Sequence, residues 1–281
     1  MRVKLSIGKS QRNSEMTKFY SVIDWSRPWL ASILPAAENI LAQEDWRGGL
    51  NYTARQLDLR NHRDLALHFI PQEDLPEGVA YEIHISHAGK VPTRENLHDF
   101  FNALVWLSFP QIKRQLNALQ AAQIESLGIG KSRGPARDAA TIFDENAALL
   151  VLENSERGRA LLSCLREHQW QQAFIEHRDD FGAVAQVWSF GHALMEKLVQ
   201  PYKAITAHAW VVWVDSNFFK QDFKQQVQQL DTQVSAQLEL HALTTADYTP
   251  LPVLGVPGWW SDQTPDFYAD DKVFRAKRPA K

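Results

Sequence analysis

The stretch "PTRENLHDFFNALVWLSFPQIKRQLNALQAAQIESLG" (92–128) places apolar residues three and four apart, the spacing of amphipathic helices, and Pro110 divides it into two. Pro92 and Thr93 read as the start of the first. Three more helices are predicted on the same grounds. One is "SERGRALLSCLREHQWQQAFIE", opened by Ser155; another is "FGHALMEKLVQP", stopped by Pro201; the third is "SNFFKQDFKQQVQQLDTQVSAQLEL". Strict alternation in "VAYEIHISHAG" (79–89), with Tyr81, Ile83 and Ile85 against Glu82, His84 and Ser86, predicts a strand. "KAITAHAWVVWVD" reads as a second strand, and "TIFDENAALLVLEN" as two short strands around a turn at Asp144–Asn146.

Residues 17–78 are loosely patterned, with a short helix after Pro35 and a strand or short helix near "LALHFIP". The segment from residue 249 is dense in Pro, Gly and aromatics; it is expected to wrap irregularly on the core, with Trp259, Trp260 and Tyr268 sealing its edge rather than capping a ligand, before a tail over 276–281. The expected class is α+β: a mostly helical single domain with a few short strands or a small antiparallel sheet, and a long irregular C-terminal segment. Its core spans 79–275 with 17–78 as an N-terminal elaboration. Residues 1–16 are expected to be disordered or upstream of the true start, since Met16 precedes a more ordinary stretch and no apolar run there suits a signal peptide.

Composition narrows this picture. Hydrophobic residues are 44% and charged residues 22% of the 281, as in globular proteins. A net charge of -3 lacks the basic excess that drives nucleic-acid binding, which leaves only a weak RNA-related reading through Lys113, Arg114, Lys131 and Arg133. Cys164 is the single cysteine, so no intrachain disulfide and no four-cysteine zinc site can form, in keeping with a reducing cytoplasm. The most apolar stretch, "AWVVWV", is far short of the roughly 20 residues that span a bilayer, so no membrane partner is expected.

Three motifs carry candidate chemistry. At 100° per residue Arg94, His98 and Asn102 share one stripe of the first helix, beside Glu95 and Asp99. That face is either solvated or, because Val105, Trp106 and Phe109 continue its sector, the wall of a pocket. In "KSRGPARDAATIFDEN", Arg133 and Arg137 flank a Gly-Pro break and present planar donors suited to paired anionic oxygens; Asp138, Asp144, Glu145 and Asn146 follow, as supporting groups or as turn residues. His192 and Glu196, at i and i+4, either form an ion pair or, with His98, supply three ligands for Zn, Mn or Fe.

These motifs in this order, together with "TAH", "PLPVLGVPGWW" and "FYADDKVFR", resemble the proteobacterial domain of unknown function three-zero-two-five family over roughly residues 80–275. The family pattern usually has glycine after "DEN", where this chain has Ala147. The resemblance implies a bacterial cytoplasmic protein and transfers no reaction and no catalytic residue. From the residues, the expectation is a metal- or acid/base-assisted hydrolase or transferase for a small anionic, phosphorylated substrate. His98, Asp99, His192 and Glu196 would be catalytic, with Asp99 backing His98; Arg94, Arg133 and Arg137 would bind the anion; Asn102, Asp138, Asp144 and Glu145 would support. A non-haem iron oxygenase is a variant of the same ligand set. The alternative is a non-catalytic binding or assembly module whose polar motifs are buried structural networks.

Overall fold

A computed structural model describes residues 18–128, 135–240 and 242–278. Two short 3₁₀ turns lead into α1 (Leu34–Leu41) and α2 (Trp46–Gln56), the latter capped by the Asp45 side chain. β1 (His68–Ile70) then pairs in parallel with β2 (Lys90–Pro92), and between them runs α3 (Tyr81–Ala88). The strand expected over 79–89 is therefore a helix. It ends at Gly89, which takes the left-handed conformation and lies so close to the Ala66 carbonyl that a Cβ would sit 2.4 Å from its oxygen.

α4 (Leu97–Ser108) begins four residues later than Thr93, because the Asn96 side chain accepts the Asp99 N–H and caps it. Pro110 opens α5 (Pro110–Leu127), whose first N–H groups are capped from outside: the buried Asp231 carboxylate accepts from Gln111 N and Ile112 N. α6 (Pro135–Asn146) replaces the first of the two short strands expected at "TIFDEN" and runs directly into β3 (Ala147–Glu153) without a left-handed residue at Ala147. α7 (Glu156–Arg166) is opened by Ser155, as expected, and β4 (Ala185–Ser189), α8 (His192–Lys197) and β5 (Thr206–Val214) follow. α9 (Phe223–Leu240), β6 (Thr249–Pro252) and the one-turn α10 (Pro265–Tyr268) complete the order.

The fold is α+β, with helices dominating. Its larger sheet, ordered β4-β3-β5-β6, is mixed rather than antiparallel: β3 runs parallel to β5 and antiparallel to β4. β3 is apolar on both faces, with Leu149 through Leu152 fully buried, as a central strand covered on each side requires. The N-terminal segment belongs to the same core. Phe100 of α4 stacks on Tyr20 and meets Phe19 and Trp46 edge-on, while Trp29, Ile33 and Leu50 are buried. The C-terminal segment also seals the core: Tyr268 is buried and donates to the Gly255 carbonyl. Among the described residues no helix is long and apolar enough to cross a membrane.

Candidate active site

Five helices converge on one cavity. α3 contributes Tyr81 and Glu82, α4 His98 and Asn102 (with Arg94 and Asp99 around its N-terminus), α5 Gln120, α6 Arg137, Thr141, Asp144 and Glu145, and α8 His192. The cavity holds about 490 Å³, and Leu75, Ala80 and Ile124 add apolar wall.

The approach of α6 to α8 depends on Gly191. A Cβ there would lie 2.5 Å from Asn146 N and from Glu145 O, so only glycine lets β4 hand over to α8 against the end of α6. His192, the next residue, is thereby pressed beside Asp144 and is 5% exposed. Its Nδ1 lies 3.9 Å from Asp144 Oδ2, beyond hydrogen-bond reach, and is buried without a partner among the described residues. Its Nε2 lies 3.1 Å from His98 Nε2, and His98 Nδ1 lies 2.9 Å from Glu196 Oε2. His98 thus bridges Glu196 and His192, with its side chain one-third open to solvent.

This arrangement corrects the expected metal set. Glu196 meets one ring nitrogen of His98 and His192 the other, so the three donors do not surround a common point. Among the described residues no group of three His, Cys, Asp or Glu side chains converges on an ion. Glu196 also takes the orienting role expected of Asp99. Asp99 instead accepts from Arg94 N, Nε and Nη2, at 2.7, 2.9 and 2.9 Å. Arg94, which precedes α4, is correspondingly engaged by Asp99 rather than held ready for an anion.

Below this layer is a buried cation. Lys113 is 4% exposed, pairs with Asp144 Oδ1 at 2.5 Å, donates to Asn102 Oδ1 at 2.8 Å and sits over the Trp106 ring. It lies inside the protein, not on a basic nucleic-acid face. Asn102 in turn donates to the Tyr81 hydroxyl at 2.9 Å. Arg137 lines the cavity and makes no ion pair among the described residues; its Nε is buried without a partner. Glu145 lines the cavity from an exposed position. Asp138, one residue round from Arg137, is exposed and outside the cavity, so it orients no imidazole. Arg133 lies outside the described residues. His208 stands apart, its Nδ1 2.9 Å from Asn146 Nδ2.

Burial sets the protonation states. It pushes His192 down from 6.5 to about 4, with Lys113 and His98 adding to the effect and Asp144 opposing it, so His192 is neutral at pH 7. Burial would raise Asp144, but the Lys113 ammonium and His192 hold it below its ordinary value. Glu82 is pushed up to about 7 by burial and by Asp144, against Lys113, Asn117 and Arg137. Tyr81 is driven well above 10 by burial and by the carboxylates of Glu82, Asp99 and Asp144, and stays protonated.

The sequence reading missed Tyr81, Glu82 and Lys113. The signal for Lys113 was present: Phe109, Ile112, Leu116 and Gln120 mark the buried stripe of α5, and Lys113 lies within it. Tyr81 and Glu82 were placed on opposite faces of a strand, whereas 100° of helical rotation lets both line one cavity.

The family model described as "Protein of unknown function (DUF3025)" matches residues 67–278. The chain belongs to this family. The DUF3025 span begins just before β1, so α1 and α2 precede it although they pack into the same core. Within it fall all five helices that build the cavity. No curated protein and no solved structure matches the chain.

Proposed function

We propose that this cavity is the acid/base site of a hydrolase or transferase acting on a small anionic substrate. The observation that carries the reading is His98 held between Glu196 and His192 on the wall of a polar cavity. A general base must be stable with and without its proton. Glu196 accepts from Nδ1 and balances the charge that His98 gains, and neutral His192 can either donate to Nε2 or accept from it. Both protonation states of His98 are therefore hydrogen-bonded, and His98 takes the substrate's proton at Nε2 when the substrate replaces His192 there. Glu82, raised to about 7 by burial, lines the same cavity and is the matching proton donor.

Arg137 is the group for the substrate's negative charge. The lining also carries Glu82, Asp99, Asp144 and Glu145, and Arg94 is already engaged by Asp99. That balance favours a singly charged anion over a phosphate dianion.

The test is turnover of a panel of chromogenic esters of small carboxylic and phosphoric acids by the full chain. The expected result is hydrolysis that falls by about 10²–10⁴ in His98→Asn without a lower melting temperature. Turnover by His98→Asn equal to wild type for every ester would contradict it. A second reading, a binding module with a structural network, draws on the saturated contacts of Lys113. It predicts that His192→Ala loses stability, whereas the enzyme reading predicts a folded protein that has lost activity.

A further inference from the structure

We infer that Tyr81, with the carboxylic acid of Glu82 beside it, is the oxygen-binding end of the cavity, and that the substrate presents a carbonyl oxygen there which gains negative charge during reaction. The inference rests on the acid/base reading of the same cavity.

Lys113 fixes the orientation of the Asn102 amide. An ammonium only donates hydrogen bonds, so the Asn102 atom 2.8 Å from it must be the amide oxygen. The Asn102 nitrogen is then the atom 2.9 Å from the Tyr81 oxygen, and it donates to that oxygen. With a donor already on its oxygen, Tyr81 has its own O–H left over. That O–H finds no acceptor among the described residues, and Tyr81 lines the cavity. The ligand atom that meets it must accept a hydrogen bond, which selects an oxygen and rejects an ammonium group. The orientation is fixed from below, since Lys113 is also held by Asp144 and lies over Trp106.

Glu82 is arranged in parallel. Its Oε2 accepts from Asn117 Nδ2 at 2.7 Å, while Oε1 has no partner among the described residues, so the protonated carboxyl carries a second donor. A phenol and a carboxylic acid on adjacent residues, near the apolar Leu75, Ala80 and Ile124, form a donor pair set before the substrate arrives. Such donors act on charge as it develops and need no reorganisation. His98 and Arg137 line the same cavity, so the substrate class is a small carbonyl compound that also carries an anionic group.

The probe is 3,4-dinitrophenolate, a coloured oxyanion that is ionised throughout the neutral range, titrated into the full chain by absorbance. Wild type is expected to bind it, and Tyr81→Phe, which keeps the ring and its packing, to bind it about tenfold or more weakly. Wild-type binding should also weaken as pH rises through about 7, because Glu82 then loses its proton. The groups acting on Glu82 are Asp144, Lys113, Arg137 and Asn117, and His98 lines the same cavity, so the comparison is made in His98→Asn, where adding Glu82→Gln should remove the pH dependence. No binding by wild type, or equal binding by Tyr81→Phe, overturns the proposal. His98→Asn separates it from the reading on which it rests. Intact phenolate binding with lost turnover there is the joint expectation. Undiminished binding in Tyr81→Phe with His98-dependent turnover sinks the role of Tyr81 alone; phenolate binding that needs Tyr81 with turnover indifferent to His98 sinks the acid/base reading alone.

Discussion

His192 is the residue whose surroundings are most demanding. It is buried, lacks a partner at Nδ1 among the described residues, and is kept neutral by burial although the neighbouring Asp144 opposes this. The pH consequence has a definite sign. A histidine whose value falls from 6.5 unfolded to about 4 folded contributes stability above 6.5 and loses it as pH drops toward 4, because the unfolded chain binds the proton first. Glu82 acts oppositely: raised from 4.5 to about 7, it favours the folded state most at low pH and loses that contribution as pH rises through 7. Denaturant titrations of wild type and His192→Gln at pH 7.5 and 4.5 separate the two. The stability difference between the proteins should change in favour of the variant by roughly 1–3 kcal/mol on going to the lower pH. A constant difference would mean that His192 is not buried as a neutral ring.

At the scale of elements, the site exists because α6 and α8 approach at Gly191. Gly191→Ala brings a methyl carbon against backbone atoms of Glu145 and Asn146, which no side-chain rotation relieves. It should cost about 1–3 kcal/mol and displace His192 from His98, so urea unfolding would show the loss and turnover would fall with it. Wild-type stability and activity in this variant would contradict the close approach. Much of the element pattern was legible. α4, α5, α7, α9 and β5 follow from periodicity and caps, and Ser155 and Pro110 mark the starts expected of them. α3 was not, because alternation over eight residues fits a strand and also fits a helix touched on several sides: His84, Ile85 and Ser86 are consecutive and all buried. Gly89 was the readable counter-signal, a helix stop. "DEN" was read as a turn from its short polar side chains, yet Asp144 is buried on the α6 face with Ala140 and Phe143.

Over the whole molecule, three motifs distant along the chain meet in one cavity, and the fold explains why. α4 packs against α8, α5 lies against α3 and α6, and the mixed sheet beneath places α6 and α8 at the ends of adjacent strands β3 and β4. The sequence showed which residue types carried chemistry but not their pairings. Glu196, four residues from His192, is joined to it only through His98, and Asp99, next to His98, turns to Arg94. Pairings of that kind depend on helix packing, which periodicity does not encode. The central claim is that His98 joins Glu196 to His192. Long-range ¹H–¹⁵N spectra of the histidine rings at neutral pH test it most directly. The expected result is a proton on His98 Nδ1 that loses this preference in Glu196→Ala, alongside a neutral His192. A His98 ring with Nδ1 unprotonated, or one indifferent to Glu196→Ala, would contradict it.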